Sequence, residues 1–313
     1  VKHRSCTRQG QGLSRERQRE ETTPMRGILG IVFVLVCVFG AYTASGGKFG
    51  VILHALPFEL TMILGGAIGA LIIGNPGYII KASFGGVKKS FGSPKWNQQD
   101  FLDILCLLFT ITKMIKSKGI LVIEAHIETP KESDLFQQYP RILNDHFATD
   151  FICDTLRMLS MNLDDPHQVY DAMEAQLDKH HHEAMKPHES LQTMADGLPA
   201  IGIVAAVLGV IKTMASVTEP PEVLGTLIGG ALTGTFLGVF LAYLLVGPFA
   251  NRLKQILDEE HQFYLIIRDV MVAHLNGNAP QVSVEIGRGS VPTRVQPSFF
   301  ELEEALNAEP AAA

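Results

Sequence analysis

Three consecutive histidines, His180, His181 and His182, with His188 close behind, form the densest set of metal-ligating side chains in the sequence. Consecutive residues on a helix point in different directions and cannot close on one ion, and the flanking Asp178, Lys179, Glu183 and Lys186 read as a solvated face. The pieces GGVKKS at 85–90 and GGAIG at 65–69 miss both the P-loop and the dinucleotide-binding spacing. Cys6, Cys37, Cys106 and Cys153 are scattered, without CxxC or His/Cys metal spacing, and read as free thiols. No nucleophile comes with a base. The expectation is no enzyme, no catalytic residue, no metal and no cofactor.

The more informative polar groups lie inside apolar sequence. Thr233 and Thr235 interrupt one such segment, and Tyr243 sits lower in it. Each threonine by default bonds the backbone carbonyl one helical turn earlier; lining a pore is the alternative. Pro199 and Pro248 lie near segment ends, where each disturbs the helix and frees a backbone carbonyl. Gly230, Gly234 and Gly238 make a small-xxx-small ladder on one face, which lets helix backbones approach closely in lipid, and Gly65 and Gly69 give a shorter version. No Asp or Glu falls within 198–217 or 223–248; Asp196 is at a boundary, Lys212 can snorkel, and Glu59 is expected near the outer end of its own segment. An ion path needs a titratable carboxylate at depth, so the expectation is that an obligate partner helix supplies it.

These residues require elements that can hold them in lipid. Of the 313 residues 47% are hydrophobic and only 19% charged, more apolar than an ordinary soluble chain, and the charges avoid 27–76 and 197–250. Crossing a hydrocarbon core about 30 Å thick takes roughly 20 helical residues. Gly27 to Thr43, Pro57 to Ile73, Leu198 to Val217 and Val223 to Pro248 meet that requirement. The first of them is alternatively a signal peptide cut after Ala44. Residues 1–24 read as a disordered polar tail, with Met25 as the expected true start.

Lys and Arg near span ends stay cytoplasmic, and they set the orientation. The 43–57 connection holds only Lys48 and the 218–222 turn holds no base, whereas Lys81, Lys88, Lys89, Lys95, Lys113, Lys116, Lys118 and Lys131 fill 78–131. Both hairpin turns therefore point outward and both termini lie in the cytoplasm. Phe101, Ile104, Leu105, Leu108 and Ile111, and then Phe147, Phe151, Ile152, Leu156 and Leu159, recur at helical spacing. The expected fold is all-α, with four transmembrane helices, a large helical cytoplasmic insert between spans 2 and 3, and a helical C-terminal tail. The expected divisions are a tail at 1–24, transmembrane hairpins at 25–77 and 197–250, and cytoplasmic regions at 78–196 and 251–313. A net charge of −6 without a basic stripe excludes nucleic acid as the main partner.

The blocks IETPKESDLFQQYPRILNDHF (127–147), LPAIGIVAAVLGVI (198–211), GTFLGVFLAY (234–243), GNAPQVSVEIGR (277–288) and PSFFELEE (297–304) resemble the MotA family of flagellar stator proteins, within the proton-channel superfamily that includes TolQ and ExbB. The resemblance runs from about Met25 to Glu304. It implies a homo-oligomer in the inner membrane, arranged around a MotB dimer whose single span supplies the proton-accepting aspartate. It further implies that Pro199 and Pro248 couple protonation to movement, that Thr235 faces the ion path, and that Ala206, where sodium-driven relatives carry threonine, selects protons. The family's rotor-contacting charges map to Glu124 and to Lys116, the latter standing where the family has arginine, with Lys113 and Lys118 available to share the contact with FliG. An ExbB or TolQ type energiser is the alternative; those relatives usually carry one span before the insert, not two. A non-conducting scaffold is the third reading.

Overall fold

The computed structural model describes residues 27–47, 49–161 and 163–308. They form thirteen α-helices with no strand among the described residues. In chain order these are α1 (Gly27–Ala44), α2 (Phe49–Gly74), α3 (Gly77–Ser90), α4 (Gln98–Lys118), α5 (Glu124–Glu128), α6 (Asp134–Gln137), α7 (Pro140–Leu143), α8 (His146–Ser160), α9 (Pro166–Ala215), α10 (Pro221–Phe240), α11 (Gly247–Leu275), α12 (Pro280–Gly289) and α13 (Phe299–Ala308). A 3-10 turn, Ile120–Ile123, precedes α5, and a π-helical turn, Leu241–Val246, joins α10 to α11.

The described residues divide into two compact units, those up to 93 with 185–256 and those of 94–184 with 257 onward. The first unit contains four stretches long and apolar enough to cross a membrane. Its outer surface is apolar. Leu29, Phe33 and Val36 of α1, Ile203, Val207 and Ile211 of α9, and Leu232 of α10 are all exposed. In water so large an apolar surface drives aggregation, whereas in lipid tails it is solvated. A small buried seam of Ile63, Ala67, Leu198, Ala205, Leu237 and Ala242 holds α2, α9 and α10 together.

The second unit has the large hydrophobic core of a water-facing domain. Both apolar stripes read from the sequence face inward: Phe101, Ile104, Leu105, Leu108 and Ile111 are buried, as are Phe151, Ile152, Leu156 and Leu159, with Phe147 half-buried. Trp96 stacks on Phe263 of α11 at 3.9 Å between ring centres. Asn97 and Asp100 cap α4 reciprocally: the Asp100 amide donates to Asn97 Oδ1 at 3.0 Å, and the Asn97 amide donates to Asp100 Oδ2 at 2.8 Å. Asp145 caps α8, accepting from the Ala148 amide at 2.7 Å, and takes an ion pair from Lys95 and a 3.2 Å hydrogen bond from the Tyr264 hydroxyl. Burial, and then the Asp145 charge, push the Tyr264 phenol up. Cys37 and Cys153 are free thiols, Cys106 is buried, and burial pushes Cys153 up to about 12; Cys6 lies outside the described residues.

Several elements differ from the sequence expectation. The second span does not begin at Pro57: α2 starts at Phe49 and carries Pro57 in its interior, because an apolar helix in lipid tolerates one missing amide donor. The third is not a separate helix from Leu198. It is the C-terminal part of α9, 50 residues long and unbroken by Pro187 or Pro199. The fourth runs into the π-helical turn before Pro248. The histidine run is not uniformly solvated. His180 stacks on Phe147 at 3.6 Å with its Nδ1 buried, and His181 stacks on His261 at 4.2 Å while facing Asp258 at 3.4 Å. Only His182 of the three is exposed. No cluster of potential metal ligands exists among the described residues.

Candidate functional site

The helix pair α9 and α10 meets through backbone as well as side chains, and glycine is what permits this. A Cβ placed on Gly238 would lie 2.7 Å from the Leu198 carbonyl oxygen and 2.9 Å from Gly202 Cα. A Cβ on Gly202 would lie 2.9 Å from the Gly234 carbonyl oxygen, and one on Gly209 2.7 Å from Ala231 Cβ. The ladder on α10 thus has a complement on α9, Gly202 and Gly209, two helical turns apart on one face. That spacing was readable in the sequence and supplies the partner that the α10 ladder lacked there.

The three ladder glycines do not share one neighbour. Gly230 faces Ala55 of α2 at 3.6 Å, and Gly238 faces α9. Gly234 faces both: a Cβ there would stand 2.5 Å from Glu59 Oε2, 3.3 Å from Ala205 Cβ and 3.3 Å from the Ala206 amide nitrogen. Glu59 is therefore not at the N-terminal end of its helix. It is the eleventh residue of α2, about 15 Å along from Phe49 at 1.5 Å per residue, and only 6% exposed.

Pro199, half-buried, follows the Leu198 whose carbonyl lies against Gly238, so the missing amide donor sits at the level of closest backbone approach. Thr233 is buried and donates to the Gly229 carbonyl at 2.9 Å, the local bond expected by default; Thr235 is half-buried. Pro248 is the second residue of α11. Its ring cannot approach the Leu244 carbonyl as an α-helical residue would, and the wider π spacing of Leu241–Val246 relieves that clash. Gly247 completes the device, since a Cβ there would meet the Ala242 carbonyl oxygen at 2.8 Å. Tyr243, on the π turn, is 65% exposed. Pro199, Ala206, Gly234 and Gly238 therefore gather at one helix crossing, while Tyr243 and Pro248 lie further along the chain at the π turn.

Lys113, Lys116, Lys118 and Glu124 belong to the second unit. All four are exposed, with Lys113 Nζ 5.5 Å from the Phe109 ring centre. Lys116 lies in the last turn of α4 and Glu124 opens α5, separated by Gly119 at φ +84° and the 3-10 turn. That left-handed glycine turns the chain so that the two charges stand on successive elements. His274 of α11 lies close enough to Lys116 that the lysine charge, after burial, holds its imidazole below the ordinary range.

Residues 28–119 match the family described as Motility protein A N-terminal, and residues 144–264 match the MotA/TolQ/ExbB proton channel family. Motility protein A of Salmonella typhimurium is 38% identical, covering 90% of this chain and 95% of that protein. Chemotaxis protein LafT of Vibrio parahaemolyticus is 32% identical, with 90% and 98% covered. Among solved structures, that of C. jejuni MotAB matches with a TM-score of 0.67 at 20% identity, covering 88% of this chain and 99% of that one. The flagellar MotAB stator complex of Bacillus subtilis matches with a TM-score of 0.60 at 21% identity, covering 82% and 92%. The two structures speak for the fold, and the curated relatives speak for more: at that identity and coverage the chain belongs to the Motility protein A family of flagellar stator subunits.

Proposed function

We propose that this multi-pass inner-membrane chain assembles as several copies around a MotB dimer and that the complex passes protons, converting their flow into torque on the rotor protein FliG. Both termini lie in the cytoplasm in this reading, following the basic residues of 78–131. The observation that carries the mechanism is the Pro199 crossing. There the α9 and α10 backbones touch through Gly202 and Gly238, and α9 continues without interruption from that crossing into the second unit. Packed interfaces of this kind hold discrete arrangements, so a change of charge on the MotB aspartate shifts the helix pair from one arrangement to another. A helix that belongs to both units passes the shift on. Thr235 lines the proton path, Ala206 leaves no hydroxyl for sodium, and Pro248 with its π turn gives α10 a second bending point. The exposed Lys116 and Glu124, with Lys113 and Lys118, present the charges that meet the rotor.

The test is swimming in cells lacking their own stator, supplied with this chain and its MotB. Wild-type chain restores motility that is lost when the proton gradient is dissipated and is indifferent to external sodium. Pro199→Ala inserts in the membrane and does not restore it. Sodium dependence would overturn the ion assignment, and normal swimming by Pro199→Ala would overturn the coupling step.

A further inference from the structure

The carboxylate of Glu59 stands where an apolar side chain belongs. The buried residues of α2 are Glu59, Ile63, Ala67 and Leu71, a four-residue rhythm that makes one stripe facing α9 and α10. Its Oε2 is fully buried and has no hydrogen-bond partner among the described residues. The space it occupies exists because residue 234 is glycine. Among the described residues no charge compensates it: α10 between Val223 and Phe240 and α9 between Gly197 and Ile211 carry no titratable side chain. The titratable groups that flank these stretches are His54 on α2, Cys37 and Tyr42 on α1, Asp196 and Lys212 on α9, and Glu222 at the start of α10, all exposed. Ionisable side chains inside membrane spans are rare, and they mark ion pathways and proton relays.

We propose that Glu59 is a proton-carrying residue of the ion path, loaded from the outer side and discharged to the acceptor carboxylate of the partner helix. Its Oε2 takes up one proton, turning carboxylate to carboxylic acid, and gives up that same proton; no other bond is made or broken. The position fits the task. Oε2 rests against Gly234, whose neighbours in sequence are Thr233 and Thr235, on the helix that also meets α9 at Ala205 and Ala206. This inference rests on the proton-path reading given above and adds a residue of this chain to a path whose acceptor lies elsewhere.

Two measurements on the full complex in native membranes decide it. Dicyclohexylcarbodiimide, an apolar reagent that adds to protonated carboxylic acids, should label the Glu59 peptide of the wild-type complex, faster as the external pH falls, and should leave the same peptide of Glu59→Gln unmodified. In cells lacking their own stator, Glu59→Gln should reach the wild-type membrane level yet fail to support swimming, and Glu59→Asp should support it with an altered dependence on external pH. A Glu59→Gln chain that swims as wild type overturns the proposal, because a neutral amide cannot carry the proton. So does a wild-type Glu59 that resists the reagent at every pH. Where Glu59→Gln does not accumulate, the wild-type labelling decides alone. A wild-type chain that labels with the expected pH dependence but restores no swimming defeats the stator reading and leaves the titration of Glu59 standing.

Discussion

At the scale of single residues, the membrane unit depends on atoms that are absent. Gly238→Ala adds one methyl group that must displace the Leu198 carbonyl and Gly202 Cα, both backbone and unable to yield. Overpacking of this kind costs about 1–3 kcal/mol, and the expected outcome is a lower unfolding midpoint in detergent together with lost swimming; unchanged stability would refute the backbone contact. In the second unit, burial holds His261 at about 4, against an ordinary 6.5, and lowers His180 in the same direction. The unfolded chain therefore binds protons that the folded chain refuses, and stability declines as the pH falls from about 6.5 toward 4. Full-length protein should lose thermal stability between about pH 7.5 and pH 5, and His261→Asn should lose less; an equal loss in both would rule out this residue as a source. The burial of these imidazoles was not legible in the sequence. Lys179, Glu183 and Lys186 announce a solvated helix face, and only the long-range approach of Phe147 and His261 covers His180 and His181. Glu59 was hidden for a related reason: placing the start of its helix at Pro57 put the carboxylate in the outer turn.

At the scale of elements, helix existence was plain and helix limits were not. Apolar run length marked all four spans, and period marked α4 and α8, whose stripes are inward in the structure. Proline misled at α2 and α9, since a proline that would end a helix in water is absorbed within a long helix held by its neighbours. At the α10–α11 junction the proline does leave a mark, the π turn. Pro248→Ala restores the amide donor to Leu244 and removes the ring clash, a change in favour of the helix by up to about 3 kcal/mol. The expected variant is at least as stable as wild type and swims poorly. A variant that is less stable would mean that the π turn has some other cause. At the tip of α4, Gly119→Ala forces a side chain into left-handed backbone and should cost about 1 kcal/mol, read as a lowered thermal midpoint.

At the scale of the whole molecule, α9 and α11 are both shared by the two compact units, each running as one unbroken helix through a boundary, at 184/185 and at 256/257. Two glycines inserted between Ala184 and Met185 should leave the complex inserted and able to take up protons while abolishing swimming; retained swimming would show that force leaves the membrane by another route. The sequence disclosed the two environments through charge distribution and the family through long ordered blocks. It did not disclose which ladder glycine meets which helix, because a face on one helix names no neighbour until the others are in place. That assignment carries a consequence for descent within the family. Side-chain volumes at paired sites should trade against each other among relatives: 230 with 55, 238 with 202, and 234 with both 59 and 205. Position 234, answering to two helices at once, should drift least, and revertants selected from a Gly238→Ala strain should arise on α9 rather than on α2.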